Sequence, residues 1–343
     1  MIQYLRLTDT ILSVPKERKT MDHVLGIDVS KDTLDLVLDQ RFHRKVLNDM
    51  GGFQQIHQWL DSQNVDRVHA CLEATGQYGD GVAEYLYEQK HLVSVVNPAR
   101  IKRYGESKLH RNKNDKADAA LIAEFCMKEK PACWKPLSNN MKHLRALVRR
   151  LSDLQTSRQQ ERNRFGSGEK DEWVLSDLQS HIHYLDDCIH NTTKAIHQFI
   201  DQNTSLKSQC DLLISIPGIG KLTAVRLLAE IGDISSFENA PQLAAFAGLN
   251  PRGFSSGSSV HKKTKISKQG RAFLRCILFM PAIVAQKHNP VIRQFCNRLA
   301  DRNLPKMAIV VASMRKLLHL CFGVLKNQVP FDPNYGDQFN FAT

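Results

Sequence analysis

The chain has 343 residues, with 47 Lys or Arg against 35 Asp or Glu, and carries a formal net charge of +12 at pH 7. Length predicts two or three domains, and the charge favours a polyanionic partner through long-range attraction to phosphates. A composition of 42% hydrophobic and 24% charged residues excludes global disorder and collagen-like sequence.

The eight cysteines are scattered, and the nearest two, Cys126 and Cys133, match neither a zinc knuckle nor a disulfide framework. They read as reduced thiols in a cytosol. The longest apolar run, Cys276 to Ala285, contains Pro281 and falls short of the roughly 20 residues that span a bilayer. The first residues mix charges into every apolar stretch, unlike a secretory signal. The expectation is a cytoplasmic protein with no membrane partner.

Residues 1–22 show no sustained period and fit a leader, either a flexible arm or a choice of start site. From Val24 an apolar run leads to a turn at Ser30 to Asp32, and Leu34, Leu36 and Leu38 then alternate with polar residues. The segment RFHRKVL fits a third strand. Phe53, Ile56, Trp59 and Leu60 have helical spacing, Val65 to Leu72 reads as a strand ending at Glu73, Val82, Tyr85 and Leu86 mark a second helix, and His91 to Val96 closes the set. Three strands, helix, strand, helix, strand is the order of a ribonuclease H-like α/β layer, assigned to residues 23–140.

Over residues 141–205, Leu144, Leu147, Leu151 and Leu154 recur at spacings of three and four, Gly166 and Gly168 interrupt, and Leu178, Ile182, Leu185, Ile189, Thr192, Ile196 and Phe199 resume. Two long helices in a coiled-coil hairpin fit, closing on themselves or on a second subunit. Residues 206–330 read as a mainly helical domain with a loop-like segment from Asn250 to Ser259 and a last helix over Pro305 to Leu325. Residues 331–343 read as a loose polar tail.

Asp28 ends the first strand and Glu73 the strand expected beside it. Asp115 and Asp118 lie three apart near the start of a helical pattern, so both carboxylates share a face. Four converging acids would be costly without a counter-ion, and a hard divalent cation such as Mg²⁺, or Mn²⁺, takes such oxygen ligands. Two such ions can drive phosphodiester transfer. The plainer reading makes Asp28 a turn residue, Glu73 a strand terminator and the other two complements to a helix dipole.

Arg100, Lys102, Arg103, Lys108, Arg111 and Lys113 form a basic stretch that suits a phosphate strand or a solvated linker. In SIPGIGKLTA, Gly218 and Gly220 permit a tight turn before Lys221. This resembles a helix-hairpin-helix module whose amides cradle a phosphate, although a packing turn reads the same way. Between Arg252 and Arg275 lie Lys262, Lys263, Lys265, Lys268 and Arg271 with no Asp or Glu. Within this run, Ser255, Ser256, Ser258 and Ser259 surround Gly257, as a flexible connector or as a set holding a nucleophile on phosphorus.

GIDVSKDTLD, CLEATGQYGDGVAEYL, VVNPARIKRYGES, RNKNDKADAALIAEF, SIPGIGKLTA, AAFAGLNPR, SSGSSV and the closing basic helix together resemble transposases of the insertion sequence 110 family, in order from about Val24 to Pro330. The resemblance implies a RuvC-like domain with its Asp-Glu-Asp-Asp tetrad on Asp28, Glu73, Asp115 and Asp118, and a C-terminal transposase domain with its serine on Ser256, Ser255 being the adjacent alternative. It also implies Mg²⁺, a phosphoserine link to DNA, a composite active site between protomers of a dimer or tetramer, and a guiding bridge RNA. Its rivals are a structure-selective nuclease that uses water and a nucleic-acid-binding scaffold without turnover.

Overall fold

The computed structural model describes residues 23–74, 76–108, 114–256 and 260–334; of 253–256 and 260–265 it describes the backbone. The chain divides into two compact units at Pro136 and Leu137.

The first unit is built on five strands: β1 (His23–Val29), β2 (Thr33–Leu38), β3 (Phe42–Leu47), β4 (Val68–Glu73) and β5 (Leu92–Val96), ordered β3-β2-β1-β4-β5. The first three form an antiparallel meander, while β4 and β5 run parallel to β1. Parallel neighbours need crossovers, which here are α1 (Met50–Ser62) and α2 (Asp80–Glu88). Asp49 starts α1 by accepting a bond from the Gly52 N–H at 2.8 Å. Phe53, Ile56 and Leu60 of α1, with Val82 and Leu86 of α2, bury one sheet face through Leu25, Ile27, Leu34 and Leu36.

The other face is covered too. The alternation in β2 suggests one buried side, yet Asp35 and Val37 are also buried. The cover includes α4 (Asp115–Glu129), which follows α3 (Pro98–Ser107) and packs Ala119, Ile122, Ala123 and Cys126 in one cluster with Val24, Val37, Cys71 and Val96. Gly26 sets the approach: a Cβ there would lie 2.2 Å from the Ala119 carbonyl oxygen and 2.5 Å from the Ala123 nitrogen. Only a residue without a side chain lets the helix lie this close.

The second unit is mostly helical. Long helices α5 (Asn139–Phe165) and α6 (Glu172–Gln202) pack on each other, and Arg158 and Arg162 of α5 reach Asp186 of α6 at 2.6 and 3.4 Å. Their roots do not stand apart from the rest. Leu144, Val148, Leu151, Ile196 and Ile200 share one core with α7 (Thr204–Ile214), α8 (Lys221–Ile231), α9 (Ala240–Phe246), α10 (Ala272–His288), α11 (Pro290–Asp301) and α12 (Lys306–Asn327).

Two sequence expectations change here. The segment expected as a loop from Asn250 forms the backbone of a hairpin, β6 (Pro251–Ser256) with β7 (Val260–Ile266), while residues 257–259 lie outside the described residues. It escaped notice because its charged and small residues lack apolar alternation. The tail is anchored at its start: the Phe331 N–H donates to Ser215 Oγ at 2.8 Å and its ring packs against the core. Among the described residues α12 is long and apolar enough to cross a membrane by length and composition, a test that a core helix also passes. Its Ile309, Met314, Leu317, Leu318, Cys321 and Leu325 belong to the protein core.

Candidate active site

Sheet register brings the acidic residues of the first unit to one face. Asp28 on β1 pairs directly with Asp35 on β2, and Asp35 pairs with Lys45 on β3. On the other side the β1–β4 ladder reaches Ile27 opposite Leu72, so Asp28 and Glu73 are the next residues along two parallel strands. Residues level with one another in a sheet share a face. Glu73 in turn pairs with Val96 on β5.

Helix α4 supplies the rest. Asn114 caps it by accepting from the Ala117 N–H at 2.8 Å, which puts Asp115 and Asp118 in the first turn. Both then sit at the positive end of the helix dipole, where a carboxylate is favoured. Because Gly26 lies two residues before Asp28, the close approach of α4 at Gly26 delivers that first turn to the Asp28 side of the sheet.

The electrostatics record the crowding. Burial, and then the charges of Asp118, Asp115 and Asp35, raise the Asp28 carboxyl from 3.8 to about 6, against a lowering bond from the Val29 backbone. Asp35 keeps its charge company differently. His43 Nε2 lies 2.8 Å from one of its oxygens and Lys45 Nζ 3.0 Å from the other, while Lys45 also stands 3.6 Å from Asp115 Oδ2. Bonding to Asp35 raises the Lys45 ammonium above its ordinary value.

Of the four expected acids, Asp28, Asp115 and Asp118 interact electrostatically, and Glu73 stands beside Asp28 by register. The gathering stops short of a cage: among the described residues no group of three His, Cys, Asp or Glu side chains is arranged to hold a metal ion. Asp35, His43 and Lys45 were missed by sequence reasoning. The signal available was Asp35 on β2 with His43 and Lys45 at alternate positions of β3, legible only once the register is known.

The basic residues divide into paired and open ones. Lys108 binds Glu124 at 2.9 Å, and with Lys128 it draws that carboxyl down to about 2, the bond from Lys128 being the larger cause. Arg100 lies over the Phe125 ring at 5.2 Å. Lys102 and Arg103 are exposed on α3. Arg111 and Lys113 lie outside the described residues.

In the second unit, Arg271 is held at 3.0 Å by Glu230, a carboxylate only 1% exposed that also meets Arg149 at 3.4 Å, and it stacks on Phe246. That makes Arg271 part of the scaffold. Lys221, Arg252 and Lys268 are exposed. The backbone of Lys262, Lys263 and Lys265 runs along β7.

The turn between α7 and α8 has two glycines with different reasons. Gly218 adopts φ +107° and a Cβ there would lie 2.8 Å from the Ala285 side chain, so it serves close packing on α10. Gly220 caps α8 with no side-chain bond to the first N–H groups, and open space surrounds it. Ser255 and Ser256 are consecutive in β6, opposite His261 and Val260.

Comparison with known proteins identifies relatives of both parts of the chain. A DEDD-type IS110 model described as a transposase matches residues 25–167, and a model described as the transposase IS116/IS110/IS902 family matches residues 210–297. The pilin gene-inverting protein of Moraxella bovis is 35% identical over 314 residues, covering 90% of this chain and 97% of that protein. Its counterpart in Moraxella lacunata shows the same identity and coverage. The transposase of insertion sequence element IS1111A from Coxiella burnetii is 26% identical over 305 residues, covering 80% and 81%. With identity of this level running through both units, the chain belongs to the IS110 family of transposases and is an enzyme that acts on DNA.

Proposed function

We propose that the chain recombines DNA by cutting strands at a RuvC-like acidic site and passing them through a phosphoserine intermediate, in a conservative inversion or transposition. One observation carries the reading: Asp28 is forced up to about 6 by burial and by Asp118, Asp115 and Asp35, an excess of negative charge that a hard cation relieves.

The chemistry of the donor set, carboxylate oxygens, suits Mg²⁺ or Mn²⁺, and Asp28, Glu73, Asp115 and Asp118 are the residues that would hold it once drawn together, an arrangement the described residues do not show. Such an ion supplies Lewis-acid charge to the phosphate being attacked. The chain's own residues do the rest. Asp28, Asp115 and Asp118 fix where the scissile phosphate can sit, because its oxygens need a positive centre in front of them. Ser256 Oγ forms a bond to phosphorus as the bond to the leaving deoxyribose oxygen breaks, and the serine proton ends on that oxygen. A hydroxyl of the second DNA strand then takes the phosphorus and returns the proton to Ser256.

Exposed Lys102, Arg103, Lys221, Arg252 and Lys268, the open N-terminus of α8 in a helix-hairpin-helix, and the basic residues of β7 would hold DNA backbone and a guiding bridge RNA. Pairing of that RNA would read sequence, in the cytoplasm at the nucleoid. The α5–α6 pair would serve as a coiled coil joining protomers into a dimer or tetramer. The match to gene-inverting relatives along nearly the whole chain supports recombination over simple cleavage.

A second reading has its own support: the acidic face lies wholly within the first unit, so it could activate water without any serine. Ser256→Ala and Ser255→Ala, each assayed on a plasmid carrying both element ends and the RNA that copurifies, separate the two. Recombination lost only in Ser256→Ala supports the proposal. Recombination surviving in both serine variants refutes the serine role, and unchanged strand cleavage by Asp118→Asn in Mg²⁺ refutes the acidic site.

A further inference from the structure

The acidic face already contains a cation of its own. Lys45 stands on β3, the edge strand of the sheet, level with Asp35 and two strands from Asp28. Its ammonium lies 3.0 Å from Asp35 Oδ2 and 3.6 Å from Asp115 Oδ2. The two partners differ in freedom. Asp35 is 5% exposed and held at its other oxygen by His43, so it cannot leave; Asp115 is a two-thirds exposed side chain on the first turn of α4. Lys45 itself is half exposed, with room to swing out.

We propose that Lys45 is the built-in counter-ion of this face: anchored by buried Asp35, its ammonium occupies Asp115 and must give that carboxylate up before a divalent cation can bind. It is a positioning residue. It keeps Asp115 near Asp28 despite their mutual repulsion, and it sets how much free cation the enzyme needs. Asp35 has the opposite effect, because it holds the ammonium back from Asp28 and adds negative charge to the face.

The inference rests on the acidic face being a cation site, so the test must distinguish the two. Binding of Mn²⁺ to the full chain, read from the loss of the free-ion electron paramagnetic resonance signal, needs no DNA cleavage. Asp28→Asn is the reference and should abolish binding. Removing a positive charge a few ångströms from a divalent ion should tighten the Mn²⁺ Kd about tenfold in Lys45→Met, and removing a negative one should weaken it about tenfold in Asp35→Asn. The double variant should return to within about threefold of the parent, as should Lys45→Arg, which keeps the charge.

A merely structural pair would weaken binding in both single variants, so the opposed signs are the signature. Circular dichroism melting checks that each variant is folded, and because Lys45 is half exposed its variants carry the test even if Asp35→Asn does not fold. Absence of any Asp28-dependent Mn²⁺ binding overturns the cation reading and this inference together. Asp28-dependent binding that is unchanged or weaker in Lys45→Met overturns this inference alone.

Discussion

Asp28 and Asp35 are direct partners in the β1–β2 ladder, two carboxylates facing each other across adjacent strands. Like charges in that position repel, and here only Asp35 has cations bonded to it among the contacts described. Asp28 has no such partner, and its carboxyl rises to about 6, through burial first, then the charges of Asp118 and Asp115, with Asp35 adding the least.

The first prediction concerns stability. A raised carboxyl binds its proton more tightly when folded, so it destabilises the fold above about 6 and costs nothing below the unfolded value of 3.8. Asp28→Asn should therefore stabilise the metal-free protein at pH 7.5 by about 1 kcal/mol, the full shift being discounted for solvent screening. Urea midpoints measure it, and the gap between variant and parent should close by about pH 4. Added Mg²⁺ should raise the parent's midpoint and leave the variant's unchanged.

Catalysis should follow the same proton. Protonated Asp28 cannot serve as a ligand, so Mg²⁺-dependent strand cleavage should fall as pH drops through about 6. Because proton and cation compete, the acidic limb should move to lower pH as Mg²⁺ is increased. A limb that stays fixed across a Mg²⁺ series would falsify the link.

Gly26→Ala tests the helix approach. The new methyl would meet the Ala119 carbonyl at 2.2 Å, with backbone rather than a flexible side chain in the way. Pushing α4 off the sheet should cost about 3 kcal/mol and abolish Mn²⁺ binding although every carboxylate is intact. Chemical denaturation and the Mn²⁺ titration read the two effects.

Two cations of the second unit should behave differently. Arg271→Ala leaves buried Glu230 with Arg149 alone and should cost about 2 kcal/mol, so any loss of DNA binding would be indirect. Lys221→Ala, exposed at the start of α8, should change stability by less than about 0.5 kcal/mol while weakening DNA affinity and reducing its salt slope by about 1. Thermal melts beside salt-dependent fluorescence anisotropy distinguish them.

How much of this was legible depended on whether the signal was local. The alternation of Leu34, Leu36 and Leu38 announced a strand because half of each residue pair is dictated by one buried face. The acids at 28, 73, 115 and 118 stood out through their motifs and family resemblance. Asp35 was read as an ordinary outward polar residue, since nothing within β2 reveals that α4 covers its other side. Lys45 gained meaning only from register, which joins residues of different strands. Arg271 looked like one more phosphate ligand in a basic run because its partner, Glu230, lies in another helix. The β6–β7 hairpin escaped because its pairing is carried by backbone, with little apolar patterning to betray it.

The acidic residues are distributed over β1, β2, β4 and the start of α4, so no short stretch of the first unit owns them all. A polypeptide that stops before Asp115, or is clipped between the strands and the helix, carries only part of this acidic face, so the charge cluster exists only once the whole unit has folded.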